Sequence, residues 1–180
     1  MVKWTEGVEA AIYEIMKGKN SSALKEFLEF SDKQLKNMIK LVRMKLEPLQ
    51  RTAMGALIVI DVHAIEVVRN MINARVENIN DFPWTSQLRY YWEPLKETDG
   101  EEYKGDDTKS DVFAKQTITR FRYAYEYLGN GPRLVITPLT DQCYMTLTGA
   151  LHLYFGGNPA GPAGTGKTET TKDLAKALAV

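Results

Sequence analysis

Apolar residues recur at helical spacing through the first 76 positions. Val8, Ala11, Ile12, Ile15 and Met16 form one stripe, closed by Gly18 and Asn20. A short second helix is predicted from Ser22 to Phe30. Ser31 then has the character of an N-cap, with Gln34 three residues on as its capping-box partner. Leu35, Met38, Ile39, Val42 and Leu46 carry that helix to Glu47, where Pro48 limits it. A longer helix is predicted from about Gln50 to Val76, with Ala53, Leu57, Ile60, Ala64, Val67, Val68, Met71 and Ile72 apolar. The β-branched cluster Ile58-Val59-Ile60 would also suit a buried strand, but length and downstream periodicity favour helix.

After Asp81-Phe82-Pro83-Trp84 the period changes. Leu88-Arg89-Tyr90-Tyr91-Trp92 is aromatic and strand-like. Thr98 to Asp111 is acidic and almost without apolar residues, the pattern of a solvated loop. Val112 to Ile118 is apolar, and Phe121 to Tyr127 places aromatic residues at every second position, predicting a strand with one aromatic face. Gly129-Asn130-Gly131-Pro132 breaks the pattern and is taken as the domain boundary.

Beyond it, Arg133-Leu134-Val135-Ile136-Thr137 is a short apolar segment stopped by Pro138. Thr140 is a plausible N-cap for a helix from Asp141 to about Leu153, burying Tyr144, Leu147, Ala150 and Leu151. A last helix is predicted through Glu169 to Leu178, with Thr171, Leu174, Ala175 and Leu178 facing a core. The fold class expected is therefore mostly α with a small antiparallel β element over 1–130, followed over 131–180 by the beginning of an α/β P-loop domain.

Composition narrows the function classes. The chain has 180 residues, 44% of them apolar, which suits a folded protein of one or two domains. Its 23 basic residues balance 23 acidic ones, so overall charge supplies no argument for nucleic acid or an anionic membrane. Cys143 stands alone, which provides no disulfide framework and no zinc site and suits a buried thiol in an intracellular protein. The longest apolar run, Ala56 to Ile60, is broken by Asp61 and is far too short to span a bilayer.

The candidate chemistry lies near the C-terminus. Gly161-Pro162-Ala163-Gly164-Thr165-Gly166-Lys167-Thr168 is a complete G-x-x-x-x-G-K-[ST] phosphate-binding loop. Such a loop wraps phosphates in backbone N–H groups, and the helix behind it adds its positive dipole end. Lys167 is the residue expected to reach the β- and γ-phosphates of ATP or ADP, and the Thr168 hydroxyl to ligate Mg²⁺. Glu169 completes the nucleotide-binding set. Phosphoryl transfer also needs an acidic residue on a neighbouring strand and a group that orients water. Both normally lie C-terminal to the loop, so the chain is expected to be a piece of a larger protein and not to hydrolyse ATP alone. Only Tyr154 to Asn158 offers a further strand, so Leu174 and Leu178 are expected to lack their normal cover.

Several blocks together resemble dynein heavy chains, over nearly the whole length. They are Gly55 to Ala64, Ser86 to Trp92, Tyr125 to Asn130, Pro132 to Asp141, and the P-loop with its extension to Lys176. The wording of the P-loop helix is similar to axonemal dyneins. The resemblance implies that residues up to about 130 are the C-terminal end of the linker, the lever lying across the motor ring. It implies that residues from about 131 begin the first AAA+ module, with Leu134, Val135 and Pro138 lining the adenine pocket. It further implies partners: the rest of the same heavy chain, microtubules through other regions, and intermediate and light chains, in the cytoplasm and in the axoneme of a cilium or flagellum.

Other readings remain open beside it. A non-catalytic module that holds nucleotide without turning it over would carry the same loop. His63 and Asp61 point to nearly opposite sides of a helix, so they make neither a metal pair nor a catalytic dyad, and His152 has no ligand partner nearby. The aromatic run at 121–127 lacks the basic stripe that base stacking on nucleic acid requires.

Overall fold

The computed structural model describes residues 1–96, 109–129 and 131–180. The acidic stretch read as a solvated loop falls largely on 97–108, and the boundary residue Asn130 is also outside the described residues. Among the described residues the elements are α1 (Val2–Met16), α2 (Ala23–Val42), α3 (Pro48–Asn73), α4 (Phe82–Thr85), β1 (Arg89–Pro94), β2 (Ser110–Gln116), β3 (Thr119–Arg122), α5 (Pro138–His152) and α6 (Lys167–Leu178).

Helices form in each region where the 3.6-residue period predicts them, although several residues of the predicted stripes, Met16, Ile39 and Leu57 among them, are exposed. α2 is continuous where two helices were predicted, and Ser31 sits inside it rather than at a start. Its hydroxyl donates to the Phe27 carbonyl at 2.9 Å, one turn back, and so leaves the ladder intact. Gln34 donates instead to Asp61 on α3, at 3.3 Å. The helix ends at Val42, short of Glu47. Pro48 does not close α2; it opens α3 as its first residue, behind a capping box in which the Glu47 amide donates to Gln50 at 3.1 Å. The Ile58-Val59-Ile60 cluster is helical.

α1, α2, α3 and α4 enclose the first core. Val8, Ile12, Val68, Met71 and Trp84 are fully buried there. The rings of Trp4 and Trp84 meet at 5.5 Å between centroids, and the Trp84 indole donates to Glu9 at 3.3 Å.

The sheet is three-stranded and antiparallel in the order β1-β2-β3, with Tyr90 opposite Ala114 and Ala114 opposite Phe121. Thr5 of α1 accepts a hydrogen bond from the Tyr90 amide at 3.1 Å, which joins the helical layer to β1. The sheet's other neighbours are α5 and α6. Tyr90, Ala114, Tyr144, Leu174 and Leu178 form a second core there, flanked by Leu88, Val112, Phe121, Tyr123, Ile136 and Leu147.

Several expectations for this region fail, each for a backbone reason. The aromatic strand ends at Arg122. The Tyr123 amide still donates to the Val112 carbonyl of β2, at 2.9 Å, but beyond it the amides turn to other acceptors: Ala124 donates to the Leu178 carbonyl and Glu126 to the Ala179 carbonyl, both at 3.0 Å. Tyr125 takes a left-handed φ of 59° and its phenol reaches Asp111 at 2.5 Å. The alternation therefore does not hold, and Tyr127 is wholly exposed. The N-cap of α5 is Thr137, not Thr140: its side chain accepts from the Thr140 amide at 3.3 Å, and Pro138 is the first helical residue. Leu151 is exposed, while Thr148 is fully buried and donates to Gln116 of β2 at 2.9 Å. Among the described residues there is no parallel sheet and no strand at 154–158. Leu174 and Leu178 nonetheless do not lack cover. They are 4% and 6% exposed, because the antiparallel sheet packs where other strands were anticipated.

Candidate nucleotide-binding site

The loop and helix predicted from the glycine pattern are both present. Residues 161–166 run without regular structure into α6, which opens at Lys167. Gly166 is the N-cap with φ 80°, and Gly164 has φ 78°; a side chain at either would be held in the left-handed region that L-residues rarely adopt. The first intrahelical bond is donated by Thr170 to Gly166 at 2.9 Å. By helix geometry the amides of Lys167, Thr168 and Glu169 have no carbonyl one turn back within α6 and are available to an acceptor beyond the helix end.

Lys167 folds back over the loop. Its ammonium donates to the Gly161 carbonyl at 2.9 Å, to the Pro162 carbonyl, and to the Thr165 hydroxyl at 3.3 Å. Thr165 in turn donates to the Pro162 carbonyl at 2.9 Å. The cation, the turn of glycines and the helix start thus share one small exposed region. Thr168 is exposed beside it, and Ala163 lies in the open loop. Glu169 is directed to Lys172, at 3.3 Å, in a pair open to solvent on both sides. Thr171, predicted to face a core, is exposed and donates to the Lys167 carbonyl at 3.1 Å. The buried face of α6 is instead Asp173, Leu174, Ala177 and Leu178.

Asp173 was not singled out by sequence reasoning, and it organises the region. Only 3% exposed, it accepts from Arg133 Nε at 2.9 Å and Nη2 at 3.0 Å, from the Leu134 amide at 3.0 Å, and from the Tyr144 phenol at 2.8 Å. Burial by itself would raise the carboxyl pKa. The Arg133 fork, the Leu134 amide and the Tyr144 hydroxyl outweigh it and hold the group below the usual carboxylate range. The same bonds reverse the downward push of burial on Arg133 and add to its upward push on the Tyr144 phenol. The only sequence signal was a charge at each edge of an apolar segment, Arg133 before Leu134 and Asp173 before Leu174.

The segment expected to line an adenine pocket is thereby attached to the P-loop helix. Leu134 is half-buried, while Val135 and Pro138 are exposed. The chain before the loop passes close to α5, since a Cβ at Gly157 would lie 2.3 Å from a side-chain methyl of Leu147. His63 approaches Asp141 of α5 at 3.7 Å, a pairing between α3 and α5 that helical spacing does not reveal.

Comparison with known proteins bears on this geometry. Residues 123–180 match a family model described as the hydrolytic ATP binding site of the dynein motor region. Dynein axonemal heavy chain 1 of Mus musculus is 57% identical over 148 residues, 82% of this chain and 3% of that protein. Human dynein axonemal heavy chain 3 is 51% identical over 176 residues, covering 98% of this chain and 4% of the relative. Human dynein axonemal heavy chain 12 is 49% identical over 177 residues, again 98% of this chain and 5% of the relative. The chain thus spans about one-twentieth or less of the length of the curated relatives it matches. With a glycine-turned loop, a lysine folded over it and a helix N-terminus behind, carried in a sequence about half identical to several heavy chains, the protein belongs to the dynein heavy chain family.

Proposed function

We propose that this chain is the nucleotide-gripping portion of an axonemal dynein motor, comprising the linker end over residues 1–130 and the start of the first AAA+ module over 131–180. The observation that carries the reading is the Lys167 ammonium held on the Gly161 and Pro162 carbonyls at the mouth of the loop. A cation placed there meets a phosphate chain approaching the free amides of α6. The donor set suits a nucleoside triphosphate with its magnesium: loop amides and Lys167 for phosphate oxygens, and the Thr168 hydroxyl for the metal. Gly161, Pro162, Ala163, Gly164, Thr165 and Gly166 form the cradle, Glu169 follows in the first turn, and Leu134, Val135 and Pro138 offer an apolar wall to the base. Hydrolysis in the full-length protein draws on carboxylates outside this chain.

The coupling runs through direct bonds. The Tyr90 phenol donates to the Ala177 carbonyl, and the Ala124 and Glu126 amides donate to the Leu178 and Ala179 carbonyls. A shift of α6 on nucleotide binding or release is thus felt by β1 and the segment after β3, which lie in the linker of this reading. The rest of the same heavy chain, microtubules, and intermediate and light chains are the proposed partners, and an axoneme the proposed location. The test is Lys167→Ala in the full-length heavy chain. Nucleotide-driven microtubule gliding is expected to be lost; gliding at the unmutated rate would refute the motor assignment. Binding of ATP without any turnover by the unmutated full-length protein would instead favour a static nucleotide-holding module.

A further inference from the structure

We infer that Asp173 is a positioning residue that sets the base-binding wall at a fixed distance from the phosphate loop, and so controls how tightly the nucleoside part of ATP is held. This rests on the nucleotide-site reading above and adds a residue to it. Asp173 lies six residues along α6 from Lys167, ~9 Å at the helical rise. Its carboxylate takes the Leu134 amide at 3.0 Å and both arms of the Arg133 fork. Segment 133–137 has no strand partner among the described residues; these bonds join its start to the P-loop helix, beside a 3.3 Å hydrogen bond from the Lys176 ammonium to the Pro132 carbonyl. The Tyr144 phenol adds the third direction at 2.8 Å and ties α5, which begins at Pro138, to the same carboxylate. One buried group therefore joins the loop helix, the apolar segment and the helix that follows it. A bidentate guanidinium pair fixes orientation as well as distance, which suits a wall that must meet a flat purine.

The position is separate from the phosphate cradle. None of the Lys167 donor bonds involves Asp173, Arg133 or Tyr144. Loss of the carboxylate charge is therefore expected to affect base contacts and leave phosphate contacts in place.

The test uses ATP hydrolysis by the full-length heavy chain, with magnesium tripolyphosphate as a competitive inhibitor that carries phosphates and no base. Asp173→Asn is expected to raise KM for ATP about tenfold while kcat and the tripolyphosphate inhibition constant each change by less than about twofold. Tyr144→Phe, which keeps the carboxylate and Arg133, is expected to raise KM in the same direction by about threefold, with the inhibition constant again unmoved. A parallel loss of ATP and tripolyphosphate binding would overturn the proposal, because the residue would then be supporting the loop as a whole. Unchanged KM in both variants would overturn it equally. Should Asp173→Asn not fold, Tyr144→Phe and Arg133→Lys carry the same two readouts. Failure of the underlying site reading looks different: hydrolysis would then be indifferent to Lys167→Ala in an otherwise unmutated protein.

Discussion

The Tyr90 phenol, near the start of β1, donates a 2.9 Å hydrogen bond to the Ala177 carbonyl in the last turn of α6. Residues 87 positions apart in sequence are thereby joined at a helix end whose carbonyls have no intrahelical donors. Burial holds the phenol protonated well above its ordinary range, so the bond persists across the physiological pH span. Tyr90→Phe leaves a buried carbonyl unpaired and is expected to cost about 1–2 kcal/mol. Denaturant unfolding measures the loss; if Ala177 finds another donor, the midpoint will not move.

Trp84 shows how the first core depends on one side chain. It is fully buried against Trp4 and bonded to Glu9. Trp84→Ala is expected to destabilise the protein by about 3–5 kcal/mol through cavity formation. Trp84→Phe keeps most of the volume but leaves Glu9 one donor short, so a smaller loss should be seen in the same unfolding measurement.

Gly166→Ala separates conformational from steric demands. A Cβ there meets nothing within 4 Å, so any cost comes from the φ of 80° alone. That cost is about 1–2 kcal/mol for an L-residue, enough to tilt the loop away from its cradle shape. Nucleotide affinity, measured by titration, should fall about tenfold or more while helical circular dichroism stays the same. Undiminished affinity would show that the loop tolerates another backbone.

Asp141 supplies the pH dependence. Burial, with the nearby Glu66 charge adding to it, raises its carboxyl pKa to about 6. Burial also lowers the pKa of His63, which faces it at 3.7 Å, against the opposing pull of the Glu66 charge. An unfolded aspartate titrates near ~3.9, so the native state binds this proton more tightly and gains stability as pH falls from above 6 toward 4. Above pH 6 the buried charge is a cost of about 3 kcal/mol in order of magnitude. Asp141→Asn should therefore stabilise the protein at pH 7 and flatten the stability profile between pH 4 and 6. A melting-temperature series over that range would contradict this if the two proteins run parallel.

The sequence by itself determined the elements whose cause is local. α1 and α3 follow from apolar spacing, the loop before α6 from glycines that alone accept its backbone, and β1 from a run of aromatic residues. Where two local signals competed, the longer-range one won: Ser31 has the chemistry of a cap, yet the apolar face of α2 continues past it against α3, and its hydroxyl bonds back to Phe27. Only the tertiary structure decided how α6 is covered and what holds the apolar segment to it. The strand after Arg122 ends because the carbonyls of Leu178 and Ala179 capture its amides. Asp173 becomes a hub because folding brings Arg133, Leu134 and Tyr144 within 3.0 Å of one carboxylate. Such contacts join residues tens of positions apart, and periodicity records which side of an element is apolar without recording what meets it.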